Sequence, residues 1–281
     1  MGKLPFRTGL VSVSFRPLPA ERVIALAVEA KLDAVEWGGD VHVPHGNLEL
    51  ARAVRKRCAD AGIACGAYGS YYRVGGGDPK SPPFEDVLAT AAELGAPAVR
   101  VWAGGKGSAD TEESDAARIS EDLRRVCDLA AARSIDVALE YHGGTLTDAP
   151  ESAVSLVGRT KRPNLFTYWQ PRHGLTVDEN LRDIAMLRPY LLDIHVFHWW
   201  PDHRTRHPLA AGVDRWRAYL NDLASDHRPR TVSLEFVRDD EPEQLLEDAG
   251  TLRSMLGWWR DGEMTKGQSP MIEEGPRAEE Q

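Results

Sequence analysis

Three short apolar runs of the sequence contain a residue that can bind a metal ion or move a proton. Glu140 and Glu235 each follow such a run, and His195 lies in the run Leu-Asp-Ile-His-Val. A strand buried on both faces is normally apolar throughout, so ionisable residues at this position require an explanation. Two carboxylates and an imidazole suit a divalent metal ion that keeps positions open for water or substrate. A purely structural role, in a rim salt bridge or a core hydrogen bond, is the alternative for each residue.

The elements that would position these residues alternate between strand and helix along the chain. Short β-branched runs are separated by amphipathic segments, such as the one in which Ile119, Leu123 and Val126 share a face. This alternation is typical of parallel βαβ units, and eight of them fill one (β/α)₈ barrel. A doubly wound open sheet is the alternative, but its G-x-G-x-x-G turn is missing. The predicted strands are 8–13, 34–37, 64–68, 98–102, 137–141, 165–169, 192–196 and 231–236.

The ends of several helices carry recognisable signals. Thr176 with Glu179, and Asp240 with Glu243, have the spacing of capping boxes. Ser81 before a proline predicts an N-cap, and Gly62 and Gly95 occupy positions typical of helix C-termini.

We predict one α/β TIM barrel over residues 1–260. The remaining residues, 261–281, are rich in Glu, Gly and Pro and predict an acidic, disordered tail.

Composition excludes several classes of partner. The 281 residues carry 34 Lys and Arg against 43 Asp and Glu, a formal net charge of −9, and no basic stripe is visible. A nucleic-acid partner is therefore disfavoured. Three cysteines without metal-ligand spacing indicate core residues rather than a disulfide framework. No apolar stretch is long enough to span a membrane, so we expect a cytoplasmic protein. The oligomeric state, including a homo-oligomer, stays open.

Four strand-end motifs resemble a known family. Leu139-Glu140-Tyr141-His142, the segment from Tyr168 through Gln170 to His173, Asp193-Ile194-His195 and Leu234-Glu235-Phe236 are similar to the xylose isomerase-like TIM-barrel superfamily, in particular its sugar phosphate isomerase/epimerase branch. The resemblance covers roughly residues 7–258. It implies one divalent ion, commonly Mn²⁺, bound by a Glu after the fifth strand, an Asp after the sixth, a His after the seventh and a Glu after the eighth.

By position, Glu140, His195 and Glu235 match three of the four implied ligands, while Gln170 stands where the family usually has Asp. An amide oxygen can coordinate, but the lost charge weakens attraction for a divalent cation. His173, three residues later, is a possible substitute. The expected cofactor is Mn²⁺, with Mg²⁺, Co²⁺ and Zn²⁺ as alternatives.

Further residues near the strand ends are candidates for binding a small carbohydrate. Aromatic rings can stack on the C–H face of a sugar, although they also cap barrel mouths or make dimer contacts. His142 lies on the same strand face as Glu140. Two arginines occupy a loop that resembles the family's substrate-binding loop after the histidine of the seventh strand, and a third lies beyond Glu235. The substrate-binding candidates are Trp37, Tyr68, Trp102, His142, Arg204, Arg206 and Arg238.

A divalent ion at this site would stabilise the enediolate formed when a proton leaves the carbon next to a carbonyl. The resemblance implies that Glu140 and Glu235 act as acid and base. We therefore predict a metal-dependent isomerase or epimerase acting on a ketose or keto-sugar. Three alternatives remain open: a lyase or hydrolase of 3-keto-glycosides working by β-elimination at the same metal site, a non-catalytic sugar-binding barrel, and an apurinic endonuclease. The endonuclease is disfavoured by the acidic net charge and by Gln170 in place of the Asp of an Asp-x-x-His pair.

Overall fold

Eight parallel strands close into a barrel in which each strand pairs with its neighbours in chain order and β1 pairs with β8. The computed structural model describes residues 5–76 and 80–257. This confirms the predicted (β/α)₈ barrel. The predicted tail, 261–281, and the last residues assigned to the barrel lie outside the described residues. The strands are β1 (Phe6–Val11), β2 (Ala34–Gly38), β3 (Ala64–Val74), β4 (Ala98–Ala103), β5 (Asp136–Leu139), β6 (Leu165–Trp169), β7 (Leu191–Val196) and β8 (Arg230–Leu234).

Amphipathic helices surround the barrel and bury their apolar faces against it. They are α1 (Ala20–Glu29), α2 (Leu48–Asp60), α3 (Phe84–Leu94), α4 (Glu113–Ala131), α5 (Pro150–Thr160), α6 (Val177–Leu187), α7 (Val213–Ala224) and α8 (Pro242–Gly257). Short 3₁₀ segments are Ser12–Phe15, Ser108–Asp110, Arg188–Tyr190, Leu209–Gly212 and Arg238–Asp240. Within the described ranges, no helix has the length and apolar character needed to cross a membrane.

The predicted strands are present, with one large difference in length. β3 extends to Val74 rather than ending at Tyr68. Its pairing with β4 shifts register between Gly69 and Arg73, and Tyr71 within the interruption adopts a positive φ of 56°. The strand resumes where Arg73 pairs with Trp102. The interruption brings Tyr71 to the carboxyl end of the barrel.

Some helix-end predictions are confirmed and others are wrong. Thr176 and Glu179 form the capping box of α6, and Gly95 ends α3 in the left-handed conformation with a φ of 76°. Ser81 does not cap α3, which begins at Phe84; its hydroxyl instead accepts a hydrogen bond from the N–H of Arg73. Asp240 does not cap α8, because the helix begins two residues later and the Asp240 carboxylate pairs with Arg206.

Alternation along the strands decides which residues enter the barrel. Within β2, Glu36 points into the barrel and Trp37 packs outward among the helices; within β6, Trp169 packs outward against Trp216 on α7. The three cysteines are free, and Cys58 and Cys127 are buried, in agreement with a core role. The layer of inward residues at the carboxyl ends of the strands forms the site described next.

Candidate active site

The two carboxylates and the imidazole predicted as metal ligands meet inside the barrel. Glu140 follows β5, His195 lies on β7 and Glu235 follows β8. Their ligand atoms all lie within 4.8 Å of one another, and all three residues are buried. Parallel strands place their carboxyl ends at the same rim, which is why residues so far apart in sequence converge. We call Glu140, His195 and Glu235 the ligand group.

Both ring nitrogens of His195 have partners. Nδ1 lies 3.3 Å from Oε2 of Glu235 and 3.2 Å from Oε1 of Gln170. Nε2 lies 3.2 Å from Oε2 of Glu36, on the other edge of the ring. The Nδ1 edge of the ring therefore faces Glu235 of the ligand group. The amide oxygen of Gln170 lies beside Nδ1, where a fourth donor is expected.

A buried arginine, absent from the sequence-based candidates, links this layer together. Arg100 on β4 donates from Nε to Oε1 of Glu36 at 2.6 Å and from Nη1 to Oε2 of Glu140. The indole N–H of Trp102 donates to the same Glu140 oxygen. Arg100 is only 2% exposed, so its charge is balanced by the carboxylates rather than by water.

The buried charges shift one another's pKa values. Burial alone would raise the pKa of Glu36, but Arg100 and His195 outweigh burial and lower it to about 2. Burial would lower the pKa of His195, yet the carboxylates of Glu235 and Glu36 raise it to about 9. For Glu235, burial is likewise outweighed by His195 and Arg100, which lower its pKa. Each of these pKa shifts favours the ionised form of its group.

The donor set fits a divalent cation. Two carboxylates, an imidazole nitrogen and an amide oxygen are ligands that Mn²⁺, Mg²⁺ and Zn²⁺ accept in proteins. Metal-binding histidines usually donate their second ring N–H to a carboxylate or carbonyl, and the Nε2 contact with Glu36 supplies that partner. Glu140, Gln170, His195 and Glu235 would thus hold the ion, in the positions expected from the sequence.

A cavity of about 590 Å³ opens from the ligand group to the surface. Aromatic rings form two of its walls. On one side Trp102 stacks on His142, with ring centroids 4.9 Å apart, and Tyr71 packs against Trp102. On the other side His173 stacks on Trp199, with ring centroids 5.4 Å apart, and Phe236 follows. Flat walls of this kind suit a ring-shaped ligand.

His142 occupies a defined tautomer. Its Nδ1 lies 2.6 Å from the carbonyl oxygen of Gly143, which can only accept a hydrogen bond, so Nδ1 carries the proton. Burial lowers the pKa of His142 below its usual value. Nε2 therefore presents a lone pair on a residue that lines the cavity. The arrangement gives the cavity a neutral base beside the ligand group.

Two predicted substrate-binding residues lie elsewhere. Trp37 is fully buried behind the barrel wall, with its ring edge-on to His42. Tyr68 is also fully buried, and its hydroxyl donates to the carbonyl of Val43. Each directly follows an inward-facing residue, and successive strand residues point to opposite faces. The prediction that these two rings stack on a substrate is therefore wrong.

The remaining candidates divide between the cavity and its surroundings. Trp102, His142 and the possible ligand His173 line the cavity. His173 stacks on Trp199, and the ligand group found among the described residues does not include it. Arg206 pairs with Asp240, and its guanidinium lies 5.3 Å from the ring centroid of Trp199.

Arg206 is not part of the cavity lining, and the other two candidate arginines also lie outside it. Arg204 is exposed, and its backbone N–H donates to Asp202. Arg238 is exposed and pairs with the neighbouring Asp239. Their proposed contact with substrate stays a prediction.

Comparison with known proteins decides the family. A family model described as the xylose isomerase-like TIM barrel matches residues 24–255. The chain belongs to this family. A segment of 67 residues is 39% identical to 3-dehydroshikimate dehydratase of Bacillus anthracis, and this match spans 24% of each protein. The chain thus matches about a quarter of that curated relative's length.

Several solved structures share the fold of this chain at low sequence identity. A probable 3-DHS dehydratase from Bacillus anthracis, involved in petrobactin synthesis, is 19% identical with a TM-score of 0.73 and covers 88% of this chain and 98% of its own. A D-psicose 3-epimerase solved in the presence of D-fructose is 16% identical with a TM-score of 0.65 and covers 91% and 98%. D-Allulose 3-epimerase from Methylomonas sp. in complex with D-allulose is 13% identical with a TM-score of 0.65 and covers 90% and 97%.

Proposed function

We propose that this protein is a metal-dependent lyase acting on a keto-polyol. It removes a proton from the carbon next to the ketone and eliminates a hydroxyl or alkoxyl group from the following carbon. The observation that carries the proposal is the His142 ring: its Nδ1 is held by the carbonyl of Gly143, and its unprotonated Nε2 belongs to a side chain that lines the cavity.

The two carboxylates of the ligand group are not equivalent. Oε2 of Glu140 accepts hydrogen bonds from both Arg100 and Trp102. Glu235 lines the cavity with one oxygen 3.3 Å from Nδ1 of His195. An epimerase working through two carboxylates needs both of them to exchange protons with the substrate, on opposite faces. The engagement of Glu140 by two donors instead favours chemistry that begins at one base.

The proposed reaction requires only one proton to move twice. Nε2 of His142 takes the proton from the carbon next to the ketone, and the electron pair left behind forms the enolate. Collapse of the enolate forms the carbon–carbon double bond as the carbon–oxygen bond of the leaving group breaks. The imidazolium of His142 can return its proton to the departing oxygen, which leaves as water or an alcohol. No oxidant or reductant is consumed.

The ligand group has a separate role in this scheme. A divalent ion held there supplies Lewis-acid stabilisation of negative charge on the ketone oxygen. Glu140, Gln170, His195 and Glu235 would provide its donors. Glu235 also faces the cavity, where it can position a substrate hydroxyl. The stacked walls exclude water from the faces of a bound ring.

The local sequence match to a 3-dehydroshikimate dehydratase supports this class of reaction, since dehydration of that cyclic ketone is an elimination. We therefore propose 3-dehydroshikimate as the first substrate to test and 3-keto-glycosides as the second. In a glycoside the alkoxyl group would leave, and the aromatic walls could contact an aglycone.

The test is to incubate the Mn²⁺-loaded protein with 3-dehydroshikimate, a 3-keto-glycoside and D-fructose separately, and to identify products by chromatography and mass spectrometry. The proposal predicts loss of water or of the aglycone from the first two. Epimerised D-fructose without any elimination product would contradict it.

Epimerisation or isomerisation of a ketose is the second candidate. The observation in its favour is that Glu140 and Glu235 both line the cavity. With an acid and a base at the same carbon, a proton can leave from one face and return to the other. The product mixture from D-fructose distinguishes this candidate from the lyase.

A further inference from the structure

We propose that Glu36 is a positioning residue for the metal site: it fixes the tautomer of His195, and Arg100 holds Glu36 in place. The inference deepens the proposed function, because it rests on the metal site on which that function depends. Glu36 lies on β2, distant in sequence from every residue of the ligand group, and it makes no contribution to the donor set itself.

The first step concerns His195. Oε2 of Glu36 lies 3.2 Å from Nε2 of His195, and an ionised carboxylate can only accept a hydrogen bond. Nε2 therefore carries a proton. A metal ion needs an unprotonated ring nitrogen, and the remaining candidate, Nδ1, is the atom that faces Glu235 and Gln170. The same contact also fixes the rotation of the ring.

The second step concerns Glu36. Its other oxygen, Oε1, accepts a hydrogen bond of 2.6 Å from Nε of Arg100. With one oxygen bound to Arg100 and the other to His195, the carboxylate cannot rotate without breaking a buried contact. Arg100 also reaches Glu140 of the ligand group. The orientation of His195 is thus coupled to that of Glu140 through two buried side chains.

A glycine on the neighbouring strand leaves space for this arrangement. A Cβ on Gly69 of β3 would lie 2.6 Å from Nη2 of Arg100 and 3.0 Å from Oε1 of Glu36. Any larger residue must displace these two side chains. Gly66, on the same strand, differs: a Cβ there would meet nothing closer than 3.5 Å. The pair Gly69→Ala and Gly66→Ala therefore tests the geometry without changing a charge.

The experiment uses wild-type protein and the variants Glu36→Gln, Gly69→Ala and Gly66→Ala, each stripped of metal and titrated with Mn²⁺. Free Mn²⁺ is measured by electron paramagnetic resonance. Nitrogen-15 NMR of histidine-labelled, Zn²⁺-loaded protein reports the tautomer of His195. Asp248→Asn serves as a control for loss of a buried carboxylate, since Asp248 on α8 lies outside this network and contacts Leu209 and Gln244.

We expect the Kd for Mn²⁺ to rise about 10- to 100-fold in Glu36→Gln and Gly69→Ala, as is usual when a ligand's supporting partner is disturbed. Gly66→Ala and Asp248→Asn should bind like wild type, and wild-type His195 should carry its proton on Nε2. If Glu36→Gln does not fold, the Kd of Gly69→Ala for Mn²⁺ tests the positioning role by itself.

Wild-type affinity in Gly69→Ala, or a wild-type His195 protonated on Nδ1, would overturn the positioning role. Wild-type protein that takes up no Mn²⁺ would overturn both this role and the metal site of the proposed function. A third outcome is that the variants show the expected Kd values for Mn²⁺ but the protein turns over none of the substrates. This outcome would support the positioning role and contradict only the proposed lyase activity.

Discussion

The imidazole of His142 stacks on the indole of Trp102, with ring centroids 4.9 Å apart and planes inclined by 21°. The guanidinium of Arg73 lies 4.1 Å from the centroid of the same indole, and the indole N–H donates to Glu140. Trp102 thus touches both the proposed base and a proposed metal ligand. This contact fixes the distance between the two parts of the site on which the proposed chemistry depends.

Replacing the proposed base tests its role. His142→Gln keeps a polar side chain but removes the basic nitrogen, so we expect kcat to fall about 10²-fold or more. His173→Gln is the matched control, because it removes a histidine from the opposite wall of the cavity. The control should change KM more than kcat. Equal losses of kcat in the two variants would remove the special role of His142.

Gln170 allows the charge of the metal site to be tested. Its Oε1 lies 3.2 Å from Nδ1 of His195, so a carboxylate at this position would add a negative charge to the ligand group. We expect Gln170→Asp to tighten Mn²⁺ binding about tenfold, or about 1.4 kcal/mol, despite its shorter side chain. Gln170→Asn has the length of Asp without its charge and should not gain affinity. Titration of the metal-free proteins with Mn²⁺ measures the affinity of each variant. Equal affinities for the Asp and Asn variants would show that residue 170 does not contact the ion.

The sequence predicts the barrel well because its signals are local and repeated. Strand and helix periodicity, the capping box at Thr176 and the glycine at position 95 each report on a few neighbouring residues. The failures at Ser81 and Asp240 have a different cause. Both side chains are engaged by residues from other segments, Arg73 and Arg206, and such tertiary contacts override local capping preference.

Part of the site was predictable because its signal is also local in the sequence. Glu140, His195 and Glu235 interrupt apolar runs near strand ends, and that pattern identified them. Glu36 and Arg100 interrupt the strands β2 and β4 in the same way, so the signal for them was present in the sequence. What no local pattern supplies is the pairing between them, which depends on the closure of the barrel and on the space left by a glycine of β3.

The buried carboxylate of Asp248 predicts a specific pH dependence of stability. Burial raises its pKa to about 6, above the value of about 4 expected in the unfolded chain. Its stabilising contribution is therefore complete below about pH 4 and is lost as the pH rises through 6. Asp248→Asn keeps an oxygen to accept the N–H of Leu209 but does not ionise. The variant should be more stable than wild type at pH 7 by on the order of 1 kcal/mol, with no difference below pH 4. Thermal unfolding from pH 4 to pH 8 measures this, and a difference that does not change with pH would refute the assignment.

The capping box of α6 predicts a measurable loss of stability. The Thr176 hydroxyl accepts a hydrogen bond from the N–H of Glu179, whose carboxylate accepts the Thr176 N–H in return. Thr176→Ala removes the side-chain acceptor and should lower the free energy of unfolding by about 1 kcal/mol. Thr176→Ser retains the hydroxyl and should remain close to wild type. Chemical denaturation distinguishes them, and equal stability of the two variants would mean that the cap contributes nothing to the folded state.

The central claim is that His142 removes a carbon-bound proton in this cavity with the help of a metal ion that Glu235 helps to hold. It is tested most directly by proton NMR in D₂O, with 3-dehydroshikimate, 3-keto-glycosides and ketoses as substrates for wild-type protein with and without a divalent ion and for metal-loaded Glu235→Gln. We expect the metal-loaded wild type to exchange the proton next to the ketone and release the eliminated product. Metal-free wild type and the Glu235→Gln variant should be slower by about 10²-fold or more. Equal rates with and without metal, or no exchange in any substrate, would contradict the account.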